Sequence, residues 1–410
     1  MARKGLLYLL FLCTLQTSVA QTLGFSLAEG KTKVSIPIEI SNNLVIVPVV
    51  INGTLPLKFI LDTGVRTAIL TQKGFSDLLN LAYSRKLSIS GPGGVKVIDA
   101  YITNNVSLEL PGVVSRGHAM LVLEEDYLEL RNYLGTDVHG VLGYELFSRF
   151  IVKIDYEKKL LTLMYPERFR PRGKYQQLSI EVQDTKPYIT TPVFLNDTTK
   201  ITAKLLVDSG ASHGLMLEPS TDDQIVVPSH TLSSIIGRGL GGEITGKVGR
   251  VKSLQLGTFS LKGAIANFPD PNSYFDSLKV GTTPRNGSIG GEVLSRFTVV
   301  FNFSKGQMFL RKNASFRQPF YYNMSGITVR AKGARLNSFE ITEVREGSAA
   351  YKAGVCAGDE IIEINGVNVN YLNLNLMIGY FNFKPGKQIN LLIERRGERL
   401  KRNFRLEDQI

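Results

Sequence analysis

The sequence repeats itself, and that constrains the fold more than any other feature. The run Leu57-Lys-Phe-Ile-Leu-Asp62-Thr-Gly-Val-Arg-Thr-Ala-Ile-Leu70 has a counterpart in Ala203-Lys-Leu-Leu-Val-Asp208-Ser-Gly-Ala-Ser-His-Gly-Leu-Met216. Each is an apolar strand that ends in Asp-(Thr/Ser)-Gly and is followed by a second apolar run. A second motif repeats downstream, Gly140-Val-Leu-Gly-Tyr-Glu-Leu-Phe-Ser-Arg-Phe150 against Gly287-Ser-Ile-Gly-Gly-Glu-Val-Leu-Ser-Arg-Phe297. Asp62 and Gly143 are 81 positions apart, and Asp208 and Gly290 are 82. Two unlike motifs held at one spacing imply two copies of one structural unit.

Smaller matches fill the frame. Val47-Pro48-Val49 and Thr191-Pro192-Val193 precede the two Asp residues. Each copy then carries a glycine-rich stretch, with Gly91, Gly93 and Gly94 in the first and Gly239, Gly241 and Gly242 in the second. Short apolar runs alternate with Gly, Asn and Asp turns, which predicts β-strands throughout. Helix is expected only near 75–81, 144–149 and 291–296. The units span 33–166 and 185–312, joined through Pro166 to Lys174, and a non-repeating region covers 319–410.

The N-terminus reads as a secretory signal peptide over 1–20. Arg3 and Lys4 precede the apolar run Gly5 to Leu15, and Ser18-Val19-Ala20 is a small-residue cleavage site. The apolar run is short for a membrane span, so a secreted or periplasmic chain with no stable span is expected. The net charge is +12, but the basic residues are scattered. That predicts a solvated basic surface and no nucleic-acid partner. Only Cys356 remains after the signal segment, so no internal disulfide can form, and the residue is expected to pack as a small apolar group.

Two carboxylates at the ends of equivalent loops have a chemical meaning. Hydrolysis of a peptide bond needs a base to activate water and an acid to protonate the carbonyl oxygen. Two adjoining carboxyls that share one proton can supply both. Gly64 and Gly210 are expected to let the chain turn sharply behind each Asp, and Thr63 and Ser209 to hydrogen-bond across the lobe interface. A lone Asp-Thr-Gly is commonly just a turn, so the argument rests on the pair and the duplicated frame.

These residues resemble the pepsin-like and retropepsin-like aspartic peptidases, closest to bacterial secreted aspartyl-protease-like proteins with a PDZ domain. The resemblance implies a mainly β, duplicated two-lobe acid-protease-like β-barrel fold with Asp62 and Asp208 as the catalytic pair. Val141-Leu142-Gly143 and Ser288-Ile289-Gly290 then thread behind the catalytic loops, Ser288 being polar where the family is apolar. The glycine-rich stretches become flaps over the cleft. Val65 and Ala211 stand where pepsin-like enzymes carry Ser or Thr, nearer the retropepsin pattern. Arg66 has no counterpart and is expected to point outward.

The last region resembles a PDZ domain, an α+β, permuted and partly open β-barrel. Its most specific element is Gly358-Asp-Glu-Ile-Ile-Glu-Ile-Asn-Gly366. The resemblance implies a groove that binds the C-terminal peptide of a partner as an added strand. Ser325, Gly326 and Ile327 would hold the ligand's carboxylate, and Leu374 would face the residue two positions before its end. A purely structural PDZ domain stays open.

Other chemistries are less well supported. Gly210-Ala-Ser212-His-Gly214 spells a serine-hydrolase elbow, but that elbow needs a helix after the turn. The four His residues lie at no metal-ligand spacing, so neither metal nor cofactor is expected. The leading function is an aspartic-type endopeptidase acting on polypeptide. A catalytically silent peptide-binding scaffold is the alternative.

Overall fold

A computed structural model describes residues 23–93, 97–171, 173–271 and 283–410. The signal segment and Gly94 lie outside the described residues.

The protein is mainly β. In the first unit the hairpin Leu44–Ile51 and Leu55–Leu61 leads to Asp62, and Ala68–Leu70 follows the turn. In the second unit, Lys186–Phe194 and Lys200–Val207 lead to Asp208, and Leu215–Leu217 follows. The downstream motif supplies the key strand of each sheet. Gly140–Leu142 lies parallel to Leu55–Leu61 and antiparallel to Ala68–Leu70. Gly287–Ile289 lies in the same way between Lys200–Val207 and Leu215–Leu217. The constant spacing seen in the sequence therefore places each motif behind its own Asp loop.

Both copies donate to one six-stranded sheet, in the order Gln176–Ser179, Gln307–Lys312, Phe297–Asn302, Ile151–Asp155, Leu160–Met164, Lys33–Pro37. Its central pair, Ile151–Asp155 with Phe297–Asn302, joins the lobes through an antiparallel ladder. Phe147 of the first lobe stacks on Phe303 of the second at 5.2 Å and meets Phe301 edge-on at 5.5 Å. The lobes thus share one continuous apolar core, which fixes the two Asp loops relative to each other.

The last region has strands Ile327–Lys332, Ser338–Val344, Glu360–Ile364, Gln388–Arg395 and Glu398–Arg405 in one sheet. Helices Ala349–Lys352 and Leu374–Phe381 cover it. The expected Asn-Gly turn forms at Asn365 and Gly366, with φ of 49° and 79°. The region does not hang free. Arg296 stacks on Phe320 at 3.5 Å and donates to the carbonyls of Gln318 and, at 3.2 Å, Pro319. Arg250 donates to Phe320 O at 3.2 Å.

Three local expectations change. The helix expected at 75–81 runs from Lys73 to Leu78, because Asn80 takes a left-handed φ of 49° and ends it. A helix at Leu130–Leu134 was not foreseen. Cys356 is exposed, since it lies in the turn that leads into Glu360–Ile364, with its backbone N–H bonded to Asp359 Oδ2 at 2.8 Å. Among the described residues no helix is long and apolar enough to cross a membrane.

Candidate active site

The two triplets meet at the lobe interface. Thr63 Oγ1 donates to Val207 O at 2.6 Å and accepts from Ser209 N at 3.0 Å. Ser209 Oγ donates to Leu61 O at 2.8 Å and accepts from Thr63 N at 3.1 Å. Each hydroxyl thus ties its own loop to the strand beneath the opposite Asp. The strands are held from behind as well, with Asp62 N donating to Leu142 O at 2.8 Å and Asp208 N to Ile289 O at 2.9 Å.

Above this grip the Asp62 and Asp208 carboxyls lie side by side, close enough that one Cβ built at Gly64 would touch both. Asp62 Oδ1 also accepts from Gly64 N at 2.6 Å, and Asp208 Oδ1 from Gly210 N at 3.0 Å. Burial, and next the neighbouring Asp208 charge, hold the Asp62 carboxyl well above the usual carboxylate range. Lys186, at the start of the strand Lys186–Phe194, pulls weakly the other way. The expected outsider, Arg66, is exposed.

The triplet glycines are required by space, not by a sharp turn. Neither Gly64 nor Gly210 has a left-handed φ. A Cβ at Gly210 would overlap the Asp62 carboxyl, and one at Gly64 would lie 3.0 Å from Asp62 Oδ1 and 3.6 Å from Asp208 Oδ1. Bare backbone is what lets the two carboxyls approach. Gly143 and Gly290 act likewise beneath, where a Cβ would meet Asp62 O and Val65 O in one lobe and Ala211 O and His213 O in the other.

Two hairpins, one from each lobe, meet at their tips. Tyr83–Ile89 with Ile98–Val106 forms one, and Thr231–Gly239 with Gly242–Arg250 the other. Their tips interlock. Gly241 N donates to Pro92 O at 2.9 Å. Leu240 fits over Gly91, whose Cβ would sit 2.9 Å from Leu240 Cβ, and joins a small cluster with Ile98, Ala100 and Leu123. Gly93 and Gly242 have φ of 105° and 125°. Side chains at Gly93 or Gly239 would overlap the Gly242 or Pro92 carbonyl. The glycine-rich stretches are glycine-rich because two backbones touch there.

The competing elbow lacks its geometry. The segment after Gly214 is the strand Leu215–Leu217, not a helix. His213 Nε2 pairs with Ser288 Oγ at 2.9 Å, which gives the polar Ser288 a partner. Burial holds the His213 imidazole below its ordinary pKa. Among the described residues no three His, Cys, Asp or Glu side chains are grouped to hold a metal.

In the last region, the loop Tyr322 to Ile327 turns toward its own side chains. Gly326 N donates to Asn323 Oδ1 at 3.1 Å, and Ile327 N to Ser325 Oγ at 3.0 Å. Leu374, expected to face the peptide ligand, begins the helix Leu374–Phe381 and is buried against Gly135 of the first lobe.

Two lobes with interlocked hairpins and paired Asp-(Thr/Ser)-Gly loops define the class, a duplicated acid-protease fold. The aspartyl protease family model matches residues 47–146 and again 191–293, and the PDZ domain model matches 340–395. The chain carries an aspartyl protease domain built from two copies of the family unit, followed by a PDZ domain. No curated protein matches the chain.

Proposed function

We propose that the protein is an aspartic-type endopeptidase in which Asp62 and Asp208 activate water. The single observation that carries this reading is the pairing of the two carboxyls above the crossed Thr63 and Ser209 bonds, where a Cβ at Gly210 would overlap Asp62, and where burial raises Asp62. A raised Asp62 keeps the shared proton. In the first step the Asp208 carboxylate takes a proton from water, the water oxygen bonds to the scissile carbonyl carbon, and Asp62 gives its proton to the carbonyl oxygen. In the second step the proton now on Asp208 passes to the amide nitrogen as the C–N bond breaks, and Asp62 recovers the proton of the hydroxyl. Atoms and charges balance, and no cofactor enters. The closed hairpins exclude bulk water and hold an extended polypeptide.

The PDZ domain in this reading binds substrate or a partner peptide and raises its local concentration. The signal-like sequence at 1–20 supports work in the periplasm or outside the cell. A peptide-library digest with the purified chain, run beside Asp208→Ala, tests the reading. Cleavage by the first and not the second supports it. Peptide binding without cleavage by either makes the protein a silent scaffold.

A further inference from the structure

The helix Leu130–Leu134 stands where three parts of the molecule meet. Its apolar side, Leu130 and Leu134, packs with Val65, the residue after the first catalytic triplet. Its polar side reaches the PDZ domain. Asn132 Nδ2 donates to Ala331 O at 2.7 Å, on the edge of strand Ile327–Lys332 that faces away from its neighbour Ser338–Val344. Arg131 Nη2 donates to Ala334 O at 2.8 Å. Glu129 pairs with Arg330 at 3.4 Å, and Arg330 in turn with Glu340 at 2.9 Å. Just past the helix, Gly135 lies so close to Leu374 that a Cβ would overlap its side chain.

Tyr133, on the same turn, faces neither of these. The Arg238 guanidinium lies 4.2 Å from the centre of its ring. Arg238 belongs to the second-lobe hairpin and is ion-paired with Glu243 across the tip. A peptide adding a strand to Ile327–Lys332 would need the same edge carbonyl that Asn132 holds. Groove and hairpin therefore share one helix.

We propose that the edge of the PDZ groove is a docking surface for the chain's own helix Leu130–Leu134, and that this docking holds the second-lobe flap closed through Tyr133 and Arg238. It follows that an extended polypeptide entering the groove evicts the helix and loosens the flap. The idea rests on reading Thr231–Gly239 and Gly242–Arg250 as a flap over the cleft, as in the function proposed above. Two halves of the link are of the kind that respond to single substitutions. A guanidinium stacked on a ring and a side-chain amide on a strand edge are each replaceable without touching the core.

Amide hydrogen exchange on the full chain tests it, read by mass spectrometry. The double variant Asn132→Ala with Arg330→Ala should speed exchange in 327–332 and, about three- to tenfold, at the hairpin tip 238–243. Tyr133→Leu should speed the tip alone by a similar factor, and Tyr133→Phe, which keeps the ring, should leave it at the parent rate. Lys332→Ala, which removes ion pairs internal to the PDZ domain, should leave the tip unchanged. The proposal is overturned if the tip stays at the parent rate in the double variant, whether or not 327–332 responds. It is equally overturned if Lys332→Ala loosens the tip as much, since general softening would then explain the effect. The readout needs no proteolysis, so an inactive chain with a coupled tip would sink the proposed function and leave this inference standing.

Discussion

Thr63 and Ser209 each bond to backbone of the other's lobe, and both are fully buried. Four hydrogen bonds thus cross the floor of the cleft directly under the two carboxyls. Thr63→Val keeps the shape of the side chain but leaves Val207 O and Ser209 N without partners. Each orphaned buried group costs about 1–3 kcal/mol, so the variant should lose about 2–5 kcal/mol of stability. Thr63→Ser should lose less, because the hydroxyl is retained. Urea midpoints for the two variants check this, and equal losses would contradict the hydrogen-bond account.

The pH–rate profile should peak at roughly pH 5–7 rather than in strong acid. Val65 and Ala211 offer no side-chain donor to the carboxylates, and each Oδ1 has a single backbone N–H within its own triplet. Burial raises Asp62 further. Fewer donors to the charged form mean that the pair loses its first proton at higher pH. A profile peaking below about pH 3 would contradict this.

Glu292 should make the protein less stable as pH rises. Burial pushes its carboxyl from the ordinary 4.5 up to about 7, against the pull of Arg296 and Arg250. Between those values the unfolded chain has released the proton and the folded chain still holds it. Stability is therefore fully present below pH 4.5 and is lost as pH rises through 7, by about 1–3 kcal/mol. Glu292→Gln cannot ionise and should remove that part of the slope. Urea midpoints at pH 4.5 and 8 for parent and variant are the measurement. Parallel slopes would show that Glu292 is already ionised when folded.

The hairpin tips should tolerate no side chain at Gly93 or Gly239, where one would overlap a carbonyl of the opposite hairpin. Gly239→Ala should force the tips apart and lower kcat/KM about tenfold through poorer positioning of the peptide. Gly263→Ala, at a turn with nothing within 4 Å of the new methyl, serves as a comparison, although its left-handed φ of 61° makes it mildly strained. Steady-state kinetics on one peptide should separate the two.

Much of this was legible because duplication makes a sequence comment on itself. The matched triplets and the matched Gly140 and Gly287 motifs located the floor of the cleft, and the paired glycine stretches located the hairpins. What the glycines do was not legible. Gly210 is excluded from bearing a Cβ by the Asp62 carboxyl of the other copy, and Thr63 is joined to Ser209 across 146 positions; no local pattern carries that. The helix Leu130–Leu134 left a faint signal, Leu130 and Leu134 at helical spacing with Gly135 in the left-handed stop position at φ 63°. Five residues were too short for periodicity to stand out against strands. Lys186 was missed as a neighbour of Asp62 because the strand that carries it precedes Asp208, in the other copy. Ser288 looked like a flaw in the repeat until His213 appeared beside it.

The central claim is that Asp62 and Asp208 work as one unit. Single-turnover cleavage of one peptide should be compared for the parent, Asp62→Ala, Asp208→Ala and the double variant. If the carboxyls share one proton, each single variant loses nearly all activity, and the double variant loses scarcely more. Should Asp62→Ala keep more than about a tenth of the parent rate, or the two losses multiply in the double variant, the carboxyls act independently and the account is wrong.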